Sequence, residues 1–191
     1  MADAVSICNL ALQRLGARAI SQLTEDTTSG RACNRVYTQA RDSELRAHPW
    51  SFARERVQVA ADSTDPIFGA AKKYAIPADC LRILPTNGTN ASAVQDDWQI
   101  EGRFILTDDS SPINLIYLKK ITDENTFDAL FTELLVARIA MDVAEKVTQS
   151  NKKKEDAVLH YSATKKEARR INAFERPPQD LPQDTWLEAR L

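Results

Sequence analysis

The sequence contains few of the residues from which active sites are usually built. Its 191 residues include two histidines, three cysteines and five glycines. No serine lies in a GxSxG segment, and there is no GxxxxGKS or GxxxxGKT loop to bind phosphate. Five glycines also leave little scope for a glycine-rich loop around a nucleotide. We therefore predict a protein without catalytic activity, and we assign it no cofactor and no metal.

Long apolar runs and a strong net charge are also absent. No apolar run approaches the roughly 20 residues that span a bilayer, and Met1–Val5 lacks the features of a secretory signal. These features predict a soluble protein made inside a cell. The formal net charge is only −2, so the chain has no overall positive field of the kind found in dedicated nucleic-acid-binding proteins. Any contact with nucleic acid would have to be local.

The cysteines and histidines do not form a recognisable site. Cys8, Cys33 and Cys80 are odd in number and widely spaced, which fits neither a disulfide framework nor a CxxC metal site. We interpret all three as small buried hydrophobic residues. His48 should cap carbonyls or complement the dipole at a helix end. His160 is expected on a solvated or interfacial helix face.

Two pairs of adjacent carboxylates, Asp96-Asp97 and Asp108-Asp109, each flank a predicted strand. Metal binding or glycoside hydrolysis would require further converging ligands, which the sequence does not display. We interpret both pairs as turn residues.

The first part of the chain has the apolar periodicity of helices. Apolar residues three or four positions apart predict amphipathic helices over 2–15 and 29–47. Gly16 should end the first helix, because glycine adopts the left-handed conformation at little cost. Pro49 should end the second helix at His48, because proline disfavours helical geometry in the residue before it.

Helical periodicity also returns near the end of the chain. Thr122-Asp123-Glu124 opens the most apolar segment, which predicts a central buried helix over 123–149. Ser150-Asn151 should break it, and a charged helix over 152–173 should then pack back antiparallel.

The intervening segment, 50–120, changes to the period-two alternation of strands. Asn87-Gly88 indicates a turn. Trp98–Ile100, Glu101-Gly102 and Phe104–Leu106 predict a hairpin with a two-residue connection at Glu101-Gly102. The β-branched and aromatic run Ile113–Leu118 predicts another strand. The expected fold class is α+β, an antiparallel helical bundle with an inserted small, mostly antiparallel β-sheet, in a single domain over 1–173.

The last segment, 174–191, has too many prolines for a helix but closes with apolar residues. A disordered tail rarely needs such an end. We therefore expect an extended docking tail that contacts a partner through Trp186, Leu187 and Leu191.

Positive charge is concentrated between positions 146 and 170. Eight basic and three acidic residues there give a local net charge of +5, which leaves about −7 on the rest of the chain. This segment has three interpretations: a solvated helix face, a positive rim that meets an acidic neighbouring subunit, or a surface near DNA phosphates. The basic residues are Lys146, Lys152, Lys153, Lys154, Lys165, Lys166, Arg169 and Arg170.

The order of segments over residues 5 to 173 carries a family resemblance. The N-terminal third has a first helix ending in Leu15-Gly16, then an SL-like turn, a helix with Arg and Ala, and the aromatic element Trp50-Ser51-Phe52. The later order is YAIPADCLRIL, the WQIEG hairpin, INLIYLKKIT, FDALFTELLVARIAMDVAEKVTQS and a charged helix. In this order the chain resembles the tail tubular protein A family, the head-to-tail adaptor, connector or gatekeeper proteins of short-tailed bacteriophages. The ending TWLEAR is similar to the C-terminal ends of some such adaptors.

The resemblance implies a virion structural protein at the head-tail junction, made in the host cytoplasm. Such adaptors bind the portal protein as a ring, typically twelve-fold, with neighbouring copies of themselves in contact. They extend the channel through which genomic DNA passes without sequence-specific binding, and they form the platform for the tail nozzle protein. The family provides no catalytic or cofactor-binding residue to carry over. The alternative from the residues alone is a DNA-binding or packaging accessory module that uses the basic 146–170 helices.

Overall fold

A computed structural model of the chain describes residues 3–84 and 98–175. In those residues the fold is α+β, as predicted, with four α-helices and two small antiparallel sheets. The helices are α1 (Ala4–Arg14), α2 (Thr28–Ala47), α3 (Ala129–Thr148) and α4 (Asn151–Phe174).

Local signals set the ends of the first two helices. The Ser6 amide donates a 2.7 Å hydrogen bond to Asp3 Oδ1, and the Asp3 amide donates one to Ser6 Oγ, which forms a capping box at the start of α1. Gly16 follows the end of α1 with φ of 67°, as predicted. α2 ends at Ala47, and His48 before Pro49 has extended backbone.

The third helix begins later than the predicted position 123. Glu124–Thr126 form a separate 3₁₀ turn, and α3 begins only at Ala129. The physical reason is a second capping residue. Asp128 Oδ1 accepts hydrogen bonds from the amides of Leu130 and Phe131, so the helix begins after Asp128.

α3 is the central buried helix, as predicted. It packs against α1, α2 and α4, and Phe131, Leu134, Leu135 and Ile139 on it are fully buried. The chain reverses at Gln149, which has φ of 51°, and Ser150 caps α4.

The β-rich part forms two sheets rather than the single sheet expected. The strands are β1 (Arg54–Val59), β2 (Lys72–Ala75), β3 (Cys80–Leu84), β4 (Gln99–Glu101), β5 (Phe104–Thr107) and β6 (Ile113–Lys119). Sheet I has the order β1–β6–β3, and sheet II has the order β2–β5–β4. The β4–β5 hairpin has the predicted two-residue connection, at Gly102-Arg103 rather than Glu101-Gly102, because Glu101 pairs with Phe104.

Strand β6 explains the division into two sheets. Ile116 and Leu118 pack against the helical core, whereas Ile113 and Leu115 belong to a second core with Tyr74. Since side chains alternate between the two faces of a strand, sheet I has one face on the helices and the other on sheet II.

The structure settles several of the smaller predictions. Cys8 and Cys33 are buried, but Cys80 is only partly buried, because it is the first residue of β3. Asp108 and Asp109 follow β5, and Asp109 Oδ2 is buried without a hydrogen-bond partner among the described residues. Asp108 Oδ1 accepts a 2.7 Å hydrogen bond from the Ala71 amide. Asn87-Gly88 and Asp96-Asp97 lie outside the described residues.

Candidate interface on helix α4

Helix α4 carries most of the predicted partner-binding residues, and most of its surface faces outward. It packs chiefly on α3, and only Ala168 and Asn172 on it are buried. Of the ten residues predicted to bind a partner, the tail residues Trp186, Leu187 and Leu191 lie outside the described residues. The other seven are on α4 and have different environments.

Two of the predicted lysines have internal partners. Lys153 Nζ donates a 2.6 Å hydrogen bond to the Leu15 carbonyl oxygen at the end of α1. Lys154 Nζ forms a 2.6 Å ion pair with Glu145 Oε2, and this hydrogen bond lowers the pKa of Glu145. Both lysines therefore contribute to the fold at the α3–α4 turn.

Lys165 belongs to a network that joins three helices. The Tyr161 hydroxyl donates a 2.6 Å hydrogen bond to Glu44 Oε1 and accepts one of 2.7 Å from Lys165 Nζ. Arg138 on α3 also reaches Glu44 Oε1, at 3.2 Å, and binds Asp142 Oδ2 through Nε at 2.9 Å. The network contains charges of both signs, so Lys165 adds little to an external positive field.

The carboxylate at the centre of this network is buried. Only 2% of Glu44 is exposed, and its Oε2 lies 3.9 Å from Lys165 Nζ without a hydrogen bond among the described residues. Burial opposes the charged form of Arg138, but its hydrogen bond to Asp142 raises the pKa of Arg138 above its ordinary value. The arrangement is that of a structural ion cluster that holds α2, α3 and α4 together.

Sequence reasoning missed Glu44, although a signal was present. Cys33, Tyr37 and Ala40 form the apolar stripe of α2, and Glu44 continues it at helical spacing. A carboxylate within an apolar stripe predicts a buried partner, because an unpaired buried charge is costly.

The C-terminal end of α4 is fixed to the HPWSF segment. Asn172 Oδ1 accepts 2.9 Å hydrogen bonds from the amide and the hydroxyl of Ser51. Asn172 Nδ2 lies 2.9 Å from His48 Nε2, and Trp50 Nε1 donates a 2.8 Å hydrogen bond to the Glu44 carbonyl oxygen. His48 lies at the end of α2, as expected, and its ring contacts the side-chain amide of Asn172 on α4.

Lys166 and Arg170 share one face of α4 with two exposed apolar side chains. Leu159, Lys166, Arg170 and Phe174 recur at helical spacing and are all exposed; we call them the outer stripe of α4. The exposed fractions are 67% for Leu159 and 76% for Phe174, and Arg170 Cζ lies 5.9 Å from the Phe174 ring centroid. Arginine and aromatic residues are both enriched at protein–protein interfaces.

Lys152, seven residues before Leu159, is exposed on the same face in the first turn of α4, whereas Arg169 is half-buried. His160 is exposed, as predicted, and its carbonyl oxygen accepts a 3.0 Å hydrogen bond from the Thr164 hydroxyl.

A second exposed apolar feature lies between β1 and β2. Ile67 is 99% exposed and Phe68 is 87% exposed. The base of this loop is held by the Lys72–Asp65 ion pair at 2.9 Å and by the hydrogen bond from Ala71 to Asp108. The two side chains are therefore at the tip of a braced loop, on the side of the β-rich part.

Within residues 3–84 and 98–175, no group of three or more His, Cys, Asp or Glu side chains is placed to hold a metal ion. No helix in that part of the chain is long and apolar enough to cross a membrane. No protein-family model matches the sequence, and a search of curated proteins finds no similar sequence.

Proposed function

We propose that this chain is a virion head-to-tail adaptor, which binds the portal protein as a ring and extends the DNA channel. The order of sequence segments over residues 5 to 173 suggests this role through its resemblance to tail tubular protein A. The observation in the structure that carries the proposal is the outer stripe of α4, which leaves apolar and basic side chains exposed together on one long helix.

An assembly surface accounts for this stripe better than a solvated face. A solvated face gains nothing from exposing Leu159 and Phe174, whereas a protein interface buries such residues at its centre. The stripe is also positive, and the loop before α3 carries the exposed residues Asp123 and Asp128. Opposite charges on two different surfaces of one chain suit a head-to-tail contact between neighbouring copies in a ring.

The nozzle protein and the portal would contact other parts of the chain than the outer stripe. We assign the β-rich part, with Ile67 and Phe68 at a loop tip, to the platform for the tail nozzle protein. We assign the tail residues Trp186, Leu187 and Leu191 to docking on the portal or on an adjacent subunit. Genomic DNA would pass through the lumen without sequence-specific binding.

Electron microscopy of the full chain mixed with portal rings from the same phage tests the proposal. We expect a closed ring of this chain at one end of the portal, and deletion of residues 177–191 should reduce its occupancy while the shortened chain stays folded. Bare portal rings in the presence of excess folded full-length chain would rule the proposal out.

A DNA-binding or packaging accessory module is the second candidate, because Lys152 and Lys166 are exposed and have no ion-pair partner among the described residues. The internal use of Lys153, Lys154 and Lys165 weakens this candidate. The two functions differ in salt dependence. A DNA-binding module should bind a generic duplex and lose affinity steeply as salt rises, whereas an adaptor should bind portal rings and show little duplex affinity.

A further inference from the structure

A groove lies along the seam between α2 and α3. Its volume is about 380 Å³, which is within the range of roughly 300–1,000 Å³ that is typical of ligand pockets. The apolar residues that line it are Ala32, Val36 and Val143, and all three belong to the helical core or pack against it. They form the floor of the groove. The adaptor role assigns this α2–α3 groove no partner.

The edges of the α2–α3 groove are mainly positive. Arg31, Arg35 and Lys146 line it, together with one carboxylate, Asp142. Arg31 and Asp142 already have ion-pair partners. Arg35 and Lys146 are exposed and form no ion pair within residues 3–84 and 98–175. Two unpaired cations beside an apolar floor suit a peptide that has both apolar and acidic side chains.

The C-terminal tail contains a segment of that composition. In residues 184–188, the apolar side chains of Trp186 and Leu187 are flanked by Asp184 and Glu188. Two carboxylates and no basic residue give this segment a charge of −2. That charge is opposite to the charge of the two unpaired cations at the groove.

This segment is long enough to reach the groove of its own chain. The side chain of Asn172, near the end of α4, accepts a 2.9 Å hydrogen bond from the amide of Ser51, just beyond the end of α2. Arg35 is 12 residues before the last residue of α2, and at about 1.5 Å per residue it lies roughly 20 Å from that end. Trp186 is eleven positions after Glu175, and a chain of that length spans up to about 40 Å.

A second groove, between α1, α3 and α4, is less suitable for an acidic segment. Its volume is about 400 Å³, and it is lined by the cations Arg14 and Lys153. Arg14 pairs with Glu133, and Lys153 donates a hydrogen bond to the Leu15 carbonyl oxygen. Asp156 adds a negative charge to the lining. A carboxylate of the tail would have to displace existing contacts there.

We propose that the α2–α3 groove binds residues 184–188 of the same chain, with Trp186 and Leu187 on its floor and the two carboxylates near Arg35 and Lys146. The inference goes beyond the adaptor role and does not depend on it. If the chain assembles as proposed above, the tail leaves the groove when it docks on the portal or on an adjacent subunit. The groove then shields Trp186 until such a partner competes for the tail.

Fluorine NMR of the full chain, labelled with 5-fluorotryptophan, tests the proposal. The chain has three tryptophans, and the variant Trp186→Phe identifies the signal of Trp186. The change in chemical shift between light and heavy water measures how far each ring is exposed to solvent. The test variant, Arg35→Glu with Lys146→Glu, reverses the two unpaired charges of the groove. The matched control, Lys152→Glu with Lys166→Glu, reverses two exposed charges outside it.

We expect Trp186 in the wild-type chain to show at most about half the solvent shift of the same ring in a synthetic peptide of residues 177–191, because a docked aromatic side chain is largely desolvated. The test variant should raise the shift to the value of the peptide, whereas the control should match wild type. The milder variant Arg35→Gln with Lys146→Gln should give an intermediate value. It removes the charges without introducing repulsion, so it keeps the test valid if the charge reversal disturbs the fold.

Three results would overturn the inference. The first is a wild-type shift equal to that of the free peptide. The second is a desolvated Trp186 whose signal is unchanged in both groove variants, because the tail would then contact another surface. The third is a desolvation of Trp186 that disappears on dilution. Contact within one chain does not depend on concentration, so this result would assign the tail to a neighbouring copy. No arm of the experiment contains the portal, so its failure leaves the adaptor proposal to its own test.

Discussion

The Tyr161 hydroxyl donates a 2.6 Å hydrogen bond to Glu44 Oε1, which joins α4 to a buried carboxylate on α2. Arg138 on α3 shares the same oxygen. Helix α2, which the β-rich part separates in the chain from α3 and α4, is thus held to both of them at one point. This hydrogen-bonded cluster fixes the relative positions of α2, α3 and α4 more specifically than apolar packing alone would.

Replacement of Glu44 by alanine should strongly destabilise the chain. The change removes the carboxylate that pairs with Arg138 and Lys165. Because these two cations are partly exposed and Arg138 keeps its ion pair with Asp142, we expect a loss of about 2 kcal/mol, the usual worth of hydrogen bonds to a charged group. Urea unfolding should show the loss, whereas Tyr161→Phe should cost about 1 kcal/mol, the usual worth of one hydrogen bond. The exposed residue Glu167 provides the control, and equal stability of Glu44→Ala and Glu167→Ala would contradict the buried role.

Alkaline pH should destabilise the fold through Tyr117. Burial and the nearby Asp79 carboxylate raise the pKa of Tyr117 from 10.0 to about 12. Because the folded pKa is above the unfolded one, this contribution to stability is fully present below pH 10 and is lost as the pH rises toward about 12.

The free energy of unfolding of the wild-type chain and of Tyr117→Phe, measured between pH 9 and pH 12, checks this expectation. The variant should show a smaller decline over that range, because its ring has no proton to lose. Other buried tyrosines, such as Tyr74, whose pKa is also raised, should leave a residual decline. Parallel pH profiles for both proteins would show that Tyr117 does not contribute.

Gly16 should resist substitution for two reasons. Its φ of 67° is in the left-handed region, and a Cβ atom there would lie 3.3 Å from Lys153 Nζ. Gly16→Ala should therefore lower stability by about 1 kcal/mol and disturb the hydrogen bond from Lys153 to Leu15. Gly102→Ala is the control, because Gly102 also has positive φ but has no atom within 4 Å of an added Cβ. The control therefore measures the cost of backbone strain without crowding. An equal loss of unfolding free energy in both variants would mean that crowding at Gly16 adds nothing.

The sequence predicts the helices of this fold well because their ends depend on local chemistry. Pro49 fixes the end of α2 and Gly16 that of α1, and both effects act within a few residues. The later start of α3 depends on a choice between Asp123 and Asp128 as capping residues. Each aspartate does cap a turn, so the periodicity of the apolar residues alone could not decide between them.

The division into two sheets and the internal partners of the lysines depend on tertiary contacts. The alternation of Ile113 and Ile116 predicts a strand with two apolar faces, but not that each face would meet a different layer. Likewise, eight basic residues in one segment indicate a positive surface, yet Lys153 and Lys165 are bound by groups far away in the chain, Leu15 and Glu44. Composition counts charges and does not show which of them are already paired.

The outer stripe of α4 leads to the last prediction, which separates assembly from stability. Lys166→Glu combined with Arg170→Glu should leave the unfolding free energy within about 0.5 kcal/mol of wild type, because exposed charges contribute little to folding. If the stripe is the contact between neighbouring copies, the same double variant should reduce ring formation on portals, as seen by electron microscopy. Asp123→Asn combined with Asp128→Asn removes the opposite charges but keeps both caps, because the amide oxygen can still accept the capping hydrogen bonds, and it should likewise reduce ring formation if these residues face the stripe. A double variant that unfolds would assign Lys166 and Arg170 to the fold, and one that forms rings as wild type does would exclude the stripe as the contact.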